Sequence, residues 1–258
     1  MQNYPLNLYQ LQVPYYSPEL EKWKTIKRSH KPMSNQRADE MAQNLTRNGG
    51  LMDYGTDNLH LLVRVVRLLA KGRPVTTKQV DDIVAELGID SDASEQFLRT
   101  VAERDDDDNI VGALGLSLKP HPHRFTVGGT RMTAWCAQDT LFLPVMLQQT
   151  ATVETESPLS KEKIRITVGP NGVKNASPAG AVMSTVVFDP DSTDLNTPTG
   201  IQMNFCRNIH FFASGEEVEQ WAAGRSDIET LSLEEAFDLG NQMWPEAFSY
   251  ARALSEAG

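Results

Sequence analysis

Residues 57–88 read DNLHLLVRVVRLLAKGRPVTTKQVDDIVAELG. Leu61, Leu62, Val65, Val66, Leu68 and Leu69 recur at helical spacing, with Arg64, Arg67 and Lys71 between them. Gly72 fits the C-cap of this first helix, and Pro74 follows it. Thr76-Thr77 can cap a second helix with Val80, Ile83, Val84 and Leu87 as its apolar stripe and Gly88 at its end. Asp92 or Ser94 can start a third, carrying Phe97, Leu98 and Val101. An acidic turn follows at 105–108. Residues 110–118 and 123–127 then predict a hairpin around Lys119-Pro120-His121-Pro122. Three short helices and a two-stranded wing describe a winged-helix-like domain over 51–128.

Upstream, residues 1–50 hold Tyr4, Tyr9, Tyr15 and Tyr16 among Pro5, Pro14 and Pro18, then a basic stretch at Lys22, Lys24, Lys27, Arg28 and Lys31. They are expected to form a partly ordered N-terminal extension that packs on the body or stays mobile, or else an arm for an acidic partner. Downstream, 133–147 is apolar and aromatic and predicts a short helix that Pro144 bends or ends. Residues 151–155, 164–168 and 183–188 predict strands, and 202–213 a long one. Ser214 or Ser226 can open later helices, and Ser232-Leu-Glu-Glu235 is a capping box for a last one containing Phe237 and Trp244. The expected fold class is α+β: an N-terminal winged-helix-like three-helix domain, then a mixed β-sheet domain with flanking helices over 129–258.

Charge narrows the function. The 258 residues carry a net charge of -10. Residues 57–127 hold nine Lys or Arg against twelve Asp or Glu. The third helix, which would enter the major groove, carries Asp92, Glu95 and Glu103. Phosphate neutralisation supplies most affinity for DNA, so no nucleic-acid partner is expected. No apolar stretch is long enough to span a bilayer, and the N-terminus lacks a secretory pattern, so a cytoplasmic protein with no membrane partner is expected. In the cytosol the two cysteines, Cys136 and Cys206, are expected to stay reduced and to be catalytic, ligating or buried.

Cys136 lies in Trp135-Cys136-Ala137-Gln138-Asp139-Thr140. A spacing of three on a helical turn brings Cys136 and Asp139 together. The carboxylate can take the thiol proton and generate the thiolate, which is the nucleophile and metal ligand. Apolar neighbours raise a carboxyl pKa, so Asp139 can also hold a proton and deliver it. The plainer alternative is a buried structural cysteine beside a helix-capping aspartate. Cys206 lies in Phe205-Cys206-Arg207-Asn208-Ile209-His210-Phe211-Phe212. On a strand, Cys206, Asn208, His210 and Phe212 share one face and Arg207 points to the other. Two thiolates meeting across the core would select a soft ion such as Hg(II), Cu(I) or Zn(II). His210 reads as a hydrogen-bonded core histidine rather than a third ligand. His121-Pro122-His123 reads as a solvated wing tip and 105–108 as a solvated turn.

Thr133-Ala-Trp-Cys-Ala-Gln-Asp-Thr-Leu-Phe-Leu-Pro144, together with Phe205-Cys206 and Ile209-His-Phe-Phe-Ala-Ser214, resembles the two signatures of the alkylmercury lyase (organomercurial lyase) family. Leu68-Leu-Ala-Lys-Gly-Arg-Pro-Val75, Trp221 and Glu234-Glu-Ala-Phe-Asp-Leu-Gly240 are similar to flanking blocks of that family. The resemblance implies protonolysis of a carbon–mercury bond to a hydrocarbon and Hg(II). It implies Cys136, Cys206 and Asp139 as catalytic residues and as the residues around the Hg(II) product. It implies no cofactor beyond exogenous thiol, an organomercurial as substrate, and transfer of Hg(II) to cellular thiols or a mercuric reductase. Some relatives carry further cysteines where this chain has Ser157 and Arg207. The rival reading is a non-catalytic soft-metal binding or sensing protein, for mercury or copper, with a winged-helix domain.

Overall fold

The three helices read from the first stretch are present in the computed structural model, which describes residues 54–187 and 205–257. They are α1 Thr56–Leu69, α2 Thr77–Leu87 and α3 Ser91–Val101. α1 buries an almost continuous apolar surface from Leu59 to Leu69. α2 opens with a capping box between Thr76 and Gln79 and ends at Gly88 in the left-handed region. α3 is opened by Asp90 rather than Asp92 or Ser94, its carboxylate accepting the Ala93 N–H at 2.7 Å. The extension expected over 1–50 lies outside the described residues.

The expected wing is corrected. Leu114 and Gly115 both have positive φ, 48° and 85°, so residues 110–118 fold back on themselves. They form β2 Ile110–Ala113 and β3 Leu116–Ser117 around a two-residue turn. β4 His123–Val127 does not return to β3. It pairs with β5 Thr130–Ala134 across Gly128-Gly129, whose φ values of 55° and 79° make the same kind of turn. β5 in turn pairs with β3. Pro120 and Pro122 lack the N–H groups that would extend either strand through 119–122. With β1 Ala102–Arg104, β6 Ala151–Glu156, β7 Lys163–Gly169 and β8 Gly172–Ser177, these strands make an eight-stranded antiparallel sheet, ordered β1-β2-β3-β5-β4-β6-β7-β8. The boundary expected at 128 falls at the tip of the β4–β5 hairpin, and strands from both sides share this sheet.

α4 Ala137–Leu147 is buried on every face and lies at the centre of the molecule. It packs on α1, on β7, and on two C-terminal helices, α6 Leu233–Met243 and α7 Pro245–Glu256. Pro144 does not end α4, which runs on to Leu147 and stops where Gln148 turns left-handed. The Ser232–Glu235 capping box opens α6 as read, but Trp244 falls just past its end and a further helix, α7, starts at Pro245.

A second, three-stranded antiparallel sheet has the order β10-β9-β11. It consists of β9 Val182–Val186, β10 Phe211–Phe212 and β11 Ile228–Ser232, with α5 Gly215–Ala222 behind Ser214. Ser226 opens no helix; β11 follows it. The long strand expected over 202–213 is also corrected. Of its described part, only Phe211 and Phe212 are strand, while Cys206–Asn208 form a single 3-10 turn. The architecture is mixed α+β, as expected. Among the described residues no helix is long and apolar enough to cross a membrane.

Candidate active site

Cys136 is the N-cap of α4 and Asp139 its third helical residue. The Cys136 N–H donates to Asp139 Oδ2 at 2.7 Å, and the Cys136 sulfur faces the Asp139 N–H in return. This is a capping box with cysteine where serine or threonine is usual. The plainer sequence alternative, an aspartate that caps, therefore holds as a statement about structure. The same bonds set the thiol beside the carboxylate. Cys136 is 1% exposed and Asp139 9%. Burial pushes the Asp139 carboxyl up to about 6, against hydrogen bonds from Cys136 that favour its charge. Burial likewise pushes the Cys136 thiol well above its usual value, helped by the nearby Cys206 and by the charge on Asp139. At rest the site therefore keeps a protonated Cys136 beside a carboxyl able to take its proton.

Cys206 stands on the 3-10 turn, close enough to Cys136 to help raise its thiol. Both thiols are free. The turn closes through Asn208 N to Phe205 O at 3.0 Å and Ile209 N to Cys206 O at 3.2 Å. Ser184 of β9 pins it: Ser184 Oγ donates to Asn208 O at 2.6 Å and accepts the His210 N–H at 3.0 Å. The Ala137 N–H at the start of α4 reaches Ile209 O at 3.4 Å, tying the two cysteine segments together. Strand alternation is thus not what orients Cys206, and Arg207 is not placed on an opposite face by it. His210 is hydrogen-bonded, as expected, but half-buried, its Nε2 2.7 Å from Arg207 O.

Several residues that the sequence reading passed over shape the site. Gly115, in the turn between β2 and β3, packs directly under Asp139. A Cβ built there would lie 2.3 Å from Asp139 Cγ. Glu103 of β1 accepts a hydrogen bond from Ser117, and its Oε1 is 3.0 Å from His121 Nε2. Burial raises the Glu103 carboxyl, but these partners outweigh it and hold the group below the usual carboxylate range. His121 and His123 are consequently not a solvated tip: the His121 side chain is 6% exposed and His123 2%. Tyr54, which precedes α1, also belongs to this neighbourhood. Its hydroxyl is pushed up to about 12 by burial and by the negative charges of Cys206 and Asp139. Ser157 is buried and donates to Glu217 Oε2 of α5 at 2.6 Å. The acidic turn at 105–108 is a local structure in which Asp105 accepts the Asn109 N–H at 2.9 Å.

A buried thiol, a half-buried thiol beside it and a carboxyl bonded to the first residue make a thiol–carboxylate centre suited to a soft ion and to movement of one proton. The alkylmercury lyase (MerB) family matches over residues 116–244, which contain all three groups. The alkylmercury lyase of Staphylococcus epidermidis is 35% identical over 181 residues, covering 69% of this chain and 79% of its own. That of Bacillus cereus is 33% identical over 192 residues, covering 73% and 83%. The solved mercury-bound form of MerB2 is similar with a TM-score of 0.63 at 25% identity, covering 82% of this chain and 99% of that one. The chain belongs to the alkylmercury lyase family, as its two cysteine motifs implied.

Proposed function

We propose that this protein cleaves organomercurials by protonolysis, with Cys136 and Cys206 as mercury ligands and Asp139 as proton carrier. The observation that carries this reading is the position of Cys136, buried, bonded through its N–H to Asp139 and tied to the Cys206 segment through the Ala137 N–H. A thiol held above its usual pKa by burial needs a base within reach before it can bind mercury, and Asp139 is that base. As Cys136 sulfur bonds to the mercury of a thiol-bound substrate R–Hg–SR′, its proton passes to Asp139 and leaves with the departing R′SH. Cys206 sulfur then adds to the same mercury and its proton passes to Asp139. Donation from two sulfurs weakens the carbon–mercury bond, and Asp139 delivers the proton to the leaving carbon. The products are RH, R′SH and Hg(II) held between the two sulfurs beside Asp139. Low-coordinate Hg(II) exchanges among thiols, so exogenous thiol or a mercuric reductase removes it, and no organic cofactor enters the scheme. Free cytosolic thiols suit this cycle.

The test is a headspace assay with phenylmercury or methylmercury and excess thiol, reading benzene or methane. The unaltered protein should release hydrocarbon and Cys136→Ser should not. Asp139→Ala should still bind mercury stoichiometrically but lose turnover by a factor of about 10² or more, the scale of positioned proton transfer. Near-normal turnover in Asp139→Ala would end the proton-carrier role. Stoichiometric mercury binding without hydrocarbon from the unaltered protein would favour a binding protein instead.

A further inference from the structure

Cys206 opens a turn of three residues, Cys206–Asn208, so its sulfur is placed only as firmly as that turn is held. Ser184 and the Ala137 N–H hold backbone groups of Asn208, Ile209 and His210. The side chain that ends the turn is held separately. Arg225 Nη1 donates to Asn208 Oδ1 at 2.7 Å. The rest of that guanidinium is engaged by Asp227, with Nε 3.1 Å from Oδ1 and Nη2 2.6 Å from Oδ2. A two-pronged carboxylate pair of this kind fixes the plane of the guanidinium. Both partners are tied to the second sheet and its helix. Ala223 and Gly224, with φ of 44° and 87°, turn the chain back after α5, and the Arg225 N–H closes onto Ala222 O at 2.9 Å. Asp227 leads into β11, and its carbonyl accepts the Val187 N–H at 2.7 Å beside the end of β9. The Arg225 and Asp227 side chains are 42% and 45% exposed. An ion pair this open contributes little to overall stability, so the fork aimed at Asn208 acts locally, on the turn.

We infer that Arg225 is a positioning residue: its guanidinium, fixed by Asp227, holds the Asn208 end of the Cys206 turn and so keeps the Cys206 sulfur in place to close on mercury already bound to Cys136. This rests on the lyase reading for the order in which the two thiols act. In that order Cys136 captures the substrate, and Arg225 acts on the later step, the arrival of the second sulfur. A misplaced reacting group slows that step without weakening the first capture. It also lowers the advantage of two linked thiols over free ones in keeping the Hg(II) product.

The experiment uses the full chain unaltered and as Arg225→Ala, Arg225→Lys, Asn208→Leu and the double variant of Arg225→Ala with Asn208→Leu. Three quantities are read: kcat and KM for benzene release from phenylmercury with excess thiol, retention of Hg(II) added as mercuric chloride against rising monothiol, and the urea unfolding midpoint. Arg225→Ala should lower kcat and Hg(II) retention roughly three- to tenfold, the scale of one partly exposed hydrogen bond, with KM and the midpoint nearly unchanged. Arg225→Lys should show most of this loss, because an ammonium keeps the charge but not the planar fork that serves Asp227 and Asn208 together. The double variant should lose no more than either single variant, since both remove one interaction. Parent-like retention in Arg225→Lys, losses that multiply in the double variant, or a fall in the unfolding midpoint that matches the lost activity would each overturn the inference. If the unaltered protein retains Hg(II) but releases no benzene, the lyase reading falls, and the retention values still decide whether Arg225 places Cys206.

Discussion

Asp139 holds a helix end and carries a proton with one carboxyl group. Its bond to the Cys136 N–H at 2.7 Å caps α4, while burial pushes its pKa up to about 6 from 3.8. The folded state therefore binds the Asp139 proton more tightly than the unfolded chain does. Its contribution to stability is complete below the unfolded value and is lost as pH rises through about 6. A shift of about two units corresponds to roughly 3 kcal/mol of lost stability above that range. Asparagine keeps an oxygen for the Cys136 N–H and cannot ionise. Asp139→Asn should thus be more stable than the parent by about 2–3 kcal/mol near pH 7.5 while losing turnover. The gain should shrink towards zero near pH 4, as read by urea unfolding at the two pH values. A gain of equal size at both would show that ionisation is not its cause. The Cys136–Asp139 pairing was legible because its spacing of three needs only one helical turn. Tyr54 and Glu103 were not, because each meets the site through tertiary contacts that no local pattern encodes.

Helices were more legible than strands. The capping residues Thr76 and Ser232 sit where the helices start, since a cap is a contact between residues three apart. Residues 202–213 misled because an apolar run with β-type residues satisfies a strand pattern. Ser184 instead takes the backbone groups of Asn208 and His210 that a longer strand would have paired, leaving Cys206 on a turn. The hairpin turns carried a signal that was passed over: Gly115, and Gly128-Gly129, in positive-φ positions between short strands. Gly115 matters most for the chemistry. Alanine there must adopt φ of 85° and place a methyl group 2.3 Å from Asp139 Cγ. Backbone strain and overpacking together should lower stability by about 2–4 kcal/mol and displace Asp139, with turnover falling in step. Gly215, the first residue of α5, is the control. Its Cβ would come no closer than 4.0 Å to a neighbour, the Thr230 methyl, and needs no positive φ. Gly215→Ala should change stability by less than about 1 kcal/mol and leave turnover nearly intact. Thermal melts and headspace assays on both variants check the contrast, and equal losses would remove Gly115 from its special place beneath Asp139.

The thiol–carboxylate centre sits where the two sheets and the C-terminal helices meet around α4, so whatever loosens the sheets loosens the chemistry. The α+β class was legible from alternating helical and strand periods, but the order of the large sheet was not. That order depends on β5 passing between β3 and β4, and its pairing with β3 skips over β4 in the sequence. His123 lies at this junction. It belongs to β4 inside the eight-stranded sheet and meets Phe211 of the second sheet edge-on at 5.8 Å. Its Nδ1 has no hydrogen-bond partner among the described residues. Burial, with lesser effects from the nearby charges of His210 and His121, pushes its pKa down to about 3 from 6.5. The unfolded chain therefore binds this proton more readily than the folded one. The sign is opposite to that of Asp139: stability is complete above the unfolded value and is lost as pH falls from there towards about 3. Near pH 5 the loss from His123 alone should be about 2 kcal/mol. Phenylalanine preserves an edge-on ring against Phe211 and cannot take up a proton. His123→Phe should consequently lose about 2 kcal/mol less than the parent between pH 7.5 and pH 5, measured by urea unfolding. Because β4 is interior to the sheet, the change should move one cooperative transition rather than create a second. An acid sensitivity identical to the parent's would mean that protonation elsewhere breaks the sheet junction first.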